Sequence, residues 1–349
     1  MIISLLLFIL ILGVIVLIHE GGHFIFAKLT GVHVYEFSVG MGPLVFKKIA
    51  KDKTQYSIRA IPIGGFVSLA GEEIDEEERK KTKGKNLQDK TVFQRFLVMF
   101  AGVAFNFISA FVILFLSALI GGAPSVEPVI NDVTEGYPAA LAGIEKGDKV
   151  LEINDHKVTF LEDISLYLTI EDLNKSVEIV VEKQNKDVET YKIKPEKIKD
   201  ENGEERYAIG IVLKAEVDKG FVPSVKYAFL EEGAILKQMY ITIGSLFTGK
   251  VAVNQLSGPV GIYSIVDQMS AQGVAALLYL TALLSVNVGV INLLPFPAFD
   301  GGRILFLIIE KIKGSPVNPK IENTIHSIGF ILLILLMLYV TLNDILKLF

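Results

Sequence analysis

The chain has 349 residues, 51% of them hydrophobic, with 34 Lys and Arg against 39 Asp and Glu and a formal net charge of −5. A mean hydropathy of +0.49 is too high for an ordinary soluble protein, and 21% charged residues is too many for a chain lying wholly in a bilayer. The absence of cysteine excludes disulfides and thiolate metal sites, and no nucleic-acid partner is expected.

Four uncharged apolar stretches account for the average: residues 1–18, 96–120, 274–299 and 327–343. A bilayer span needs about 20 residues, so the first and last must borrow from their flanks. The N-terminus has no basic n-region or small-residue cleavage site, and is expected to stay as a helix rather than leave as a signal peptide. Residues 24–95 hold 13 Lys and Arg against 9 Asp and Glu, and residues 303–324 hold 4 against 2. Residues 121–273 hold 16 against 25. If all four stretches cross, both positive loops share one side, which the positive-inside rule makes cytoplasmic. The acidic segment and both termini then lie outside the cytoplasm.

The first span, 1–31, carries His19-Glu20-Gly21-Gly22-His23. The spacing puts His19 and His23 one helical turn apart, where two imidazoles can bind one Zn²⁺, and Glu20 stands beside them to take a proton from a water at the metal. Ionisable residues at membrane depth are costly and point to function. Gly21 and Gly22 are poor helix formers. They leave room either for a substrate backbone or for a neighbouring helix.

The segment 32–94 contains two alternating runs, 34–46 and 55–69, around a charged turn at 47–53. Gly40, Gly42, Gly64 and Gly65, with Pro43 and Pro62, exclude a helix and predict a bent β-hairpin. It is either an ordinary surface hairpin or one partly inserted beside the first helix. Residues 72–90 are nearly all charge and predict a cytosolic connection. A second span follows at 95–121.

Within 122–215, residues 126–213 predict a compact domain. The run from Gly136 to Asn154 (GYPAALAGIEKGDKVLEIN) resembles a PDZ domain of the bacterial type, with a short helix, a glycine turn and a strand. Later strands are expected at 177–181 and 189–193, and a second helix at 162–169. PDZ domains bind extended chains at a sheet edge, here between 129–133 and the 162–169 helix; the alternative is a steric spacer. In 216–273, residues 223–250 place Val225, Phe229, Ile235, Leu236, Met239, Ile243 and Leu246 at helical spacing. Glu231, Glu232 and Lys237 interrupt them, as in an interfacial helix.

Two histidines do not complete a catalytic zinc site, which takes three protein ligands. His33, His156 and His326 have no helical partner at ligand spacing. In the third span, 274–302, Asp300 follows 26 uncharged residues and is framed by Pro295, Pro297, Gly301 and Gly302. Irregular backbone at membrane depth must be buried or line water, which favours Asp300. Glu310, in the connection to the fourth span (303–349), is the other candidate.

His19–His23 together with Asn292-Leu-Leu-Pro-Phe-Pro-Ala-Phe-Asp-Gly301 resembles the site-2 protease family of intramembrane zinc metalloproteases, in its bacterial branch with an extracytoplasmic PDZ domain. Phe100-Ala-Gly-Val-Ala-Phe-Asn106, Gly64-Gly-Phe-Val67 and Leu256-Ser-Gly-Pro-Val-Gly-Ile262 carry the likeness along nearly the whole chain. Phe299 and Val103 depart from the family's usual leucine and proline. The resemblance implies a polytopic α-helical membrane protein with about four transmembrane helices, a membrane-associated β-hairpin and one inserted PDZ-like α+β domain. It implies Zn²⁺ held by His19, His23 and Asp300, with Glu20 as general base. It also implies substrate presentation by the hairpin, with contacts at Gly64, Gly65 and Phe66; Asn292 suits either a substrate-backbone contact or helix packing, and a buried Asn such as Asn106 suits helix packing. Expected partners are the lipid bilayer and single-span membrane proteins such as anti-sigma factors or signal-peptide remnants. The PDZ-like domain would bind a newly made C-terminus, in the inner membrane of a bacterium. The rival expectations are a non-catalytic PDZ-bearing membrane adaptor and a transporter using Asp300 and the histidines as a proton path.

Overall fold

The computed structural model describes residues 2–72, 82–199, 205–213, 217–249 and 251–347. The centre of the charged 72–90 connection lies outside the described residues. The chain divides into two compact units, Met1–Ile113 with Val253–Phe349, and Leu114–Ala252.

The first unit begins with helix α1 (Ile2–Leu29), whose buried residues Ser4, Phe8, Ile11, Ile15, His19, Gly22, His23 and Ala27 recur every three or four positions. That stripe faces the core at the helical period, while Ile2, Leu6 and Leu10 are exposed. At 1.5 Å per residue α1 is about 42 Å long, against a hydrocarbon core of about 30 Å.

Strands β1 (Val34–Ile49) and β2 (Gln55–Leu69) follow. β1 continues through Ile49, so the turn occupies 50–54 and not the expected 47–53; Lys53 adopts a φ of 69° there. Phe37 faces Val67 on one side and Tyr56 on the other. Residues 36–39 therefore lie between two parts of β2, and the bend has positive φ at Gly40, Gly42 and Gly64, a conformation glycine adopts without steric cost.

The hairpin runs along α1. Lys28 pairs with Asp52 at 2.7 Å, Phe24 packs on Phe37 and Tyr56 with centroids 5.0 and 5.9 Å apart, and a Cβ at Gly13 would sit 3.7 Å from the Pro62 carbonyl. Lys28 to Gly13 is about 22 Å along the helix. Met41, Leu44, Val45, Phe46, Ile58 and Ile61 are exposed, an apolar surface of the kind that needs lipid or protein cover.

Helix α2 (Val92–Gly121) leads into the second unit. There β3 (Ala123–Pro124) pairs with β12 (Val217–Asp218), β4 (Asp132–Val133) with β11 (Ile211–Val212), and β9 (Glu196–Lys199) with β10 (Glu205–Ala208). Strands β5 (Lys149–Ile153), β6 (His156–Lys157), β7 (Val177–Glu182) and β8 (Val188–Ile193) form an antiparallel sheet in the order β6-β5-β7-β8. Val177, Ile179 and Val181 alternate into a core with Ile130, Ile144 and Ile164, the period-two pattern of a half-buried strand.

Helix α3 (Pro138–Ala142) starts on a proline and stops at Gly143, whose φ is 100°, a left-handed cap suited to glycine. Helix α4 (Leu161–Ile170) is capped by buried Asp163, which accepts the N–H of Thr159 and Phe160 at 2.7 and 2.8 Å. Lys237 on helix α5 (Phe221–Phe247) reaches the same carboxylate at 2.6 Å, tying α5 to α4. Val222, Phe229, Leu236 and Tyr240 form an exposed apolar face of α5.

The expected groove position needs correcting. β4 is already hydrogen-bonded to β11, so 129–133 does not offer that edge. A groove of about 470 Å³ lies instead between α4, with Ser165 and Leu168, and residues 207–211.

The chain returns to the first unit with α6 (Pro259–Gln272), α7 (Val274–Leu293), α8 (Asp300–Lys313) and α9 (Pro319–Leu346). Among the described residues four helices are long and apolar enough to cross a membrane, α1, α2, α7 and α9. Val266 and Leu280 pack on Phe8, Ile11 and Ile15. Asp344 of α9 accepts the N–H groups of Gly258 and Gly261 at 2.8 Å each, satisfying the N-terminus of α6.

Burial pushes half-buried Glu232 of α5 up to about 7. Its raised value means that the folded unit binds the proton more tightly than the unfolded chain, so this contribution is complete below the ordinary glutamate value of 4.5 and is lost as pH rises through about 7. Melting of the second unit should therefore fall in temperature over that window. Glu232→Gln should flatten the fall and melt higher than wild type on its alkaline side; an unchanged pH profile would show that Glu232 is already solvated.

Candidate metal centre

The helical period places His19 and His23 on the buried stripe of α1. The break after α7 brings a carboxylate to them from more than 270 residues away. α7 stops at Leu293, residues 294–299 are not helical, and Asp300 opens α8. Asp300 Oδ2 lies 3.1 Å from His19 Nε2 and 3.2 Å from His23 Nε2, and the two Nε2 atoms are 3.2 Å apart. A tetrahedral ion with ligand bonds of about 2.0–2.1 Å holds its ligand atoms about 3.3 Å apart. The observed triangle has nearly that size. Asp300 Oδ2 is buried without a hydrogen-bond partner, as an oxygen reserved for a cation would be. A two-histidine, one-carboxylate set is one that zinc takes in hydrolytic sites.

Helix α2 lies against both histidines. His23 Nδ1 is 2.8 Å from the Val98 carbonyl, which directs Nε2 at the centre. A Cβ at Gly102 would overlap His23 Nε2, and a Cβ at Gly22 would overlap the Ala101 carbonyl. Asn106 touches His19 Nδ1 at 3.3 Å. Glu20 has a different support: its Oε2 accepts the backbone N–H of Val67 on β2 at 3.0 Å. Sequence reasoning missed Val98, Gly102 and Val67, because two of these roles belong to backbone atoms and the third to a missing side chain.

The remaining candidates separate. Glu310 forms a two-pronged ion pair with Arg95 and is engaged away from the centre. Asn292 donates to the Val288 carbonyl of its own helix at 3.0 Å. Gly65 faces Ser38 and Gly64 faces Met41 within the hairpin, and Phe66 lies under Arg59 at 5.0 Å. His33 packs edge-on to Tyr35, and His156 stacks on Tyr167. His326 of α9 accepts the N–H of Ala298 at 3.3 Å, inside the break that carries Asp300. Val103 is fully buried and Phe299 packs on Phe296 at 5.6 Å.

Residues 7–336 match the family described as peptidase family M50. FN1322 of Fusobacterium nucleatum is 38% identical over 345 residues, covering 98% of both chains. Regulator of sigma-W protease RasP of Bacillus subtilis is 33% identical over 418 residues, again covering 98% of each. Zinc metalloprotease RasP of Bacillus licheniformis is 34% identical over 421 residues at the same coverage. Among solved structures, the PDZ domain of an SdrC-like protein from Listeria monocytogenes is 25% identical, over 26% of this chain and 88% of its own. Its TM-score of 0.22 is below the level at which a likeness speaks for a shared fold.

The two glycines of the helix motif should behave differently. Gly22→Ala must push α1 from α2, an overpacking cost of about 1–3 kcal/mol, and should weaken zinc binding measured by chelator competition. Gly21 has nothing within 4 Å of an added Cβ, so Gly21→Ala should leave zinc affinity unchanged. Equal effects would contradict the helix contact.

Proposed function

The chain belongs to peptidase family M50, the site-2 protease family, and is a zinc-dependent metalloprotease with several membrane-crossing helices; on that premise we propose that it hydrolyses a peptide bond within the transmembrane segment of single-span membrane proteins. His19, His23 and Asp300 are the zinc ligands in this proposal, and Glu20 is the general base. The observation that carries it is the triangle of ligand atoms at 3.1–3.2 Å, with a carboxylate from the next residue of the same helix beside it.

His19, His23 and Asp300 would hold the zinc, which would supply an acidified water and polarisation of the scissile carbonyl. Glu20 takes the proton as the water oxygen bonds to the carbonyl carbon, and gives it to the amine nitrogen as the C–N bond breaks. The Val67 N–H occupies Oε2, leaving Oε1 for the proton. Both histidines and Asp300 remain in place throughout, and Val98 keeps His23 aimed.

A substrate helix hides its carbonyls in i→i−4 hydrogen bonds, and exposing one in hydrocarbon costs several kcal/mol, roughly. The outer edge of residues 65–69 in β2 lies beside Glu20; with the Val67 and Leu69 N–H groups given to Glu20 and Glu72, its remaining backbone groups would pair with an unwound chain. The apolar hairpin running along α1 supports its insertion beside the catalytic helix, in preference to a solvated surface hairpin. In the second unit, the groove beside α4 is the place where a newly made C-terminus would add. Anti-sigma factors and signal-peptide remnants are the substrate classes this reading favours, and the name of the Bacillus subtilis relative supports the first. The chain would sit in the bacterial cytoplasmic membrane with the PDZ-like unit outside the cytoplasm.

Glu20→Gln should keep its zinc and lose about 10²–10⁴-fold in cleavage of a membrane-embedded reporter. Retained cleavage would remove Glu20 from the mechanism. Glycine or proline placed in a resistant reporter helix should open it to cleavage, and failure across several positions would refute the unwinding step.

A further inference from the structure

Asn106 is fully buried on α2. Its side-chain nitrogen is 3.3 Å from His19 Nδ1, while its Oδ1 is buried with no hydrogen-bond partner. That orientation conflicts with the chemistry of the centre. An imidazole that offers Nε2 to a cation keeps its proton on Nδ1 and donates it there. The partner of His19 Nδ1 must therefore be an acceptor. His23 meets the requirement, because the Val98 carbonyl 2.8 Å from its Nδ1 can only accept. An amide nitrogen can only donate, and would drive the His19 proton onto Nε2, into the space between the ligands. Turning the terminal amide by 180° exchanges its oxygen and nitrogen without moving the chain, and brings the unpartnered oxygen onto Nδ1. The exchange is required by the histidine, whose tautomer the metal sets.

We infer that Asn106 accepts the Nδ1–H of His19 through Oδ1 and is a positioning residue that holds His19 in its zinc-binding tautomer. This rests on the zinc reading of His19, His23 and Asp300. The backbone places Asn106 for the task. Val98, Gly102 and Asn106 follow one another at four-residue spacing on α2, so they form one stripe. Val98 serves His23, Gly102 admits both rings and Asn106 meets His19. The backbone carbonyl of Asn106 accepts Ser109 Oγ at 2.9 Å and Ser285 Oγ of α7 at 3.0 Å, so this turn of α2 is fixed against a third helix. A packing asparagine would need only bulk and a neighbour; this one must present an acceptor.

Zinc dissociation constants of the full chain in detergent, read by chelator competition, separate the alternatives. A wild type that binds no zinc would overturn the metal reading itself. With zinc bound, Asn106→Ala should weaken affinity by about 10–100-fold, while Asn106→Asp, which keeps the acceptor, should stay within about threefold of wild type. The inference fails if the alanine variant binds as tightly as wild type. It also fails if the aspartate variant, melting like wild type, loses as much as alanine. Should neither variant fold, ¹⁵N-histidine spectra of the wild type decide. The two histidines whose Nε2 resonances move on zinc addition should both carry a proton on Nδ1. An unprotonated Nδ1 on either overturns the assignment.

Discussion

The close contact between α1 and α2 is the constraint on which the centre depends. Two imidazoles and a carboxylate must meet at membrane depth, where each unpaired polar group is costly. A side chain at Gly22 or Gly102 would separate the helices, since one would strike the Ala101 carbonyl and the other the His23 ring. With both positions empty, α2 brings a carbonyl and an amide within reach of the ring nitrogens that face away from the centre. Small residues at a membrane helix crossing usually serve packing; here the same contact also orients the ligands.

Asp300, the third ligand of the proposed centre, is held in place by other elements. Ala298 has a φ of 87°, a left-handed conformation that costs a residue with a side chain about 1–3 kcal/mol and persists only under external support. α9 provides it, through His326 on the Ala298 N–H and through Gly329, where a Cβ would overlap Pro297. Along α8, Arg303 in the first turn pairs with Glu72 just past β2, and Glu310 towards the far end pairs with Arg95 of α2. Ile304 joins a core with Ala27, Leu69 and Val98. α8 is thus pinned to the hairpin, to α1 and to α2.

Much of this was legible in the sequence for definite reasons. His19 and His23 are a helical turn apart, and helical spacing survives any tertiary arrangement. Asp300 stood out because an acid framed by proline and glycine after a long apolar run has few explanations. The β-runs at 34–46 and 55–69 carried their alternation, although the exact turn did not, because Lys47 and Lys48 are charged yet remain in the strand. What stayed hidden depends on register between distant segments. No pattern indicates that Val67 spends its N–H on Glu20, or that Asn106 faces a histidine 87 residues away. The expected position of a groove at 129–133 failed for the same reason, since β4 is taken by β11, a partner some 80 residues downstream. Gly21 and Gly22 are indistinguishable in sequence, and differ only in what lies across from them.

The Val67–Glu20 hydrogen bond has a consequence for where a substrate can be cut. A strand added to the outer edge of residues 65–69 would pair its carbonyls with the N–H groups pointing away from β1. At Val67 that donor is already committed to the base. The Leu69 N–H is held in the same way by Glu72, so an incoming carbonyl opposite either residue finds its backbone donor taken, and only the one opposite Val67 meets Glu20. On the proposed presentation, the gaps in the ladder narrow the choice of bond, and of the carbonyls the edge leaves unheld the one beside Glu20 is within reach of the proposed base. The enzyme would measure its cleavage position by backbone register, with no need to read a side chain at the cut.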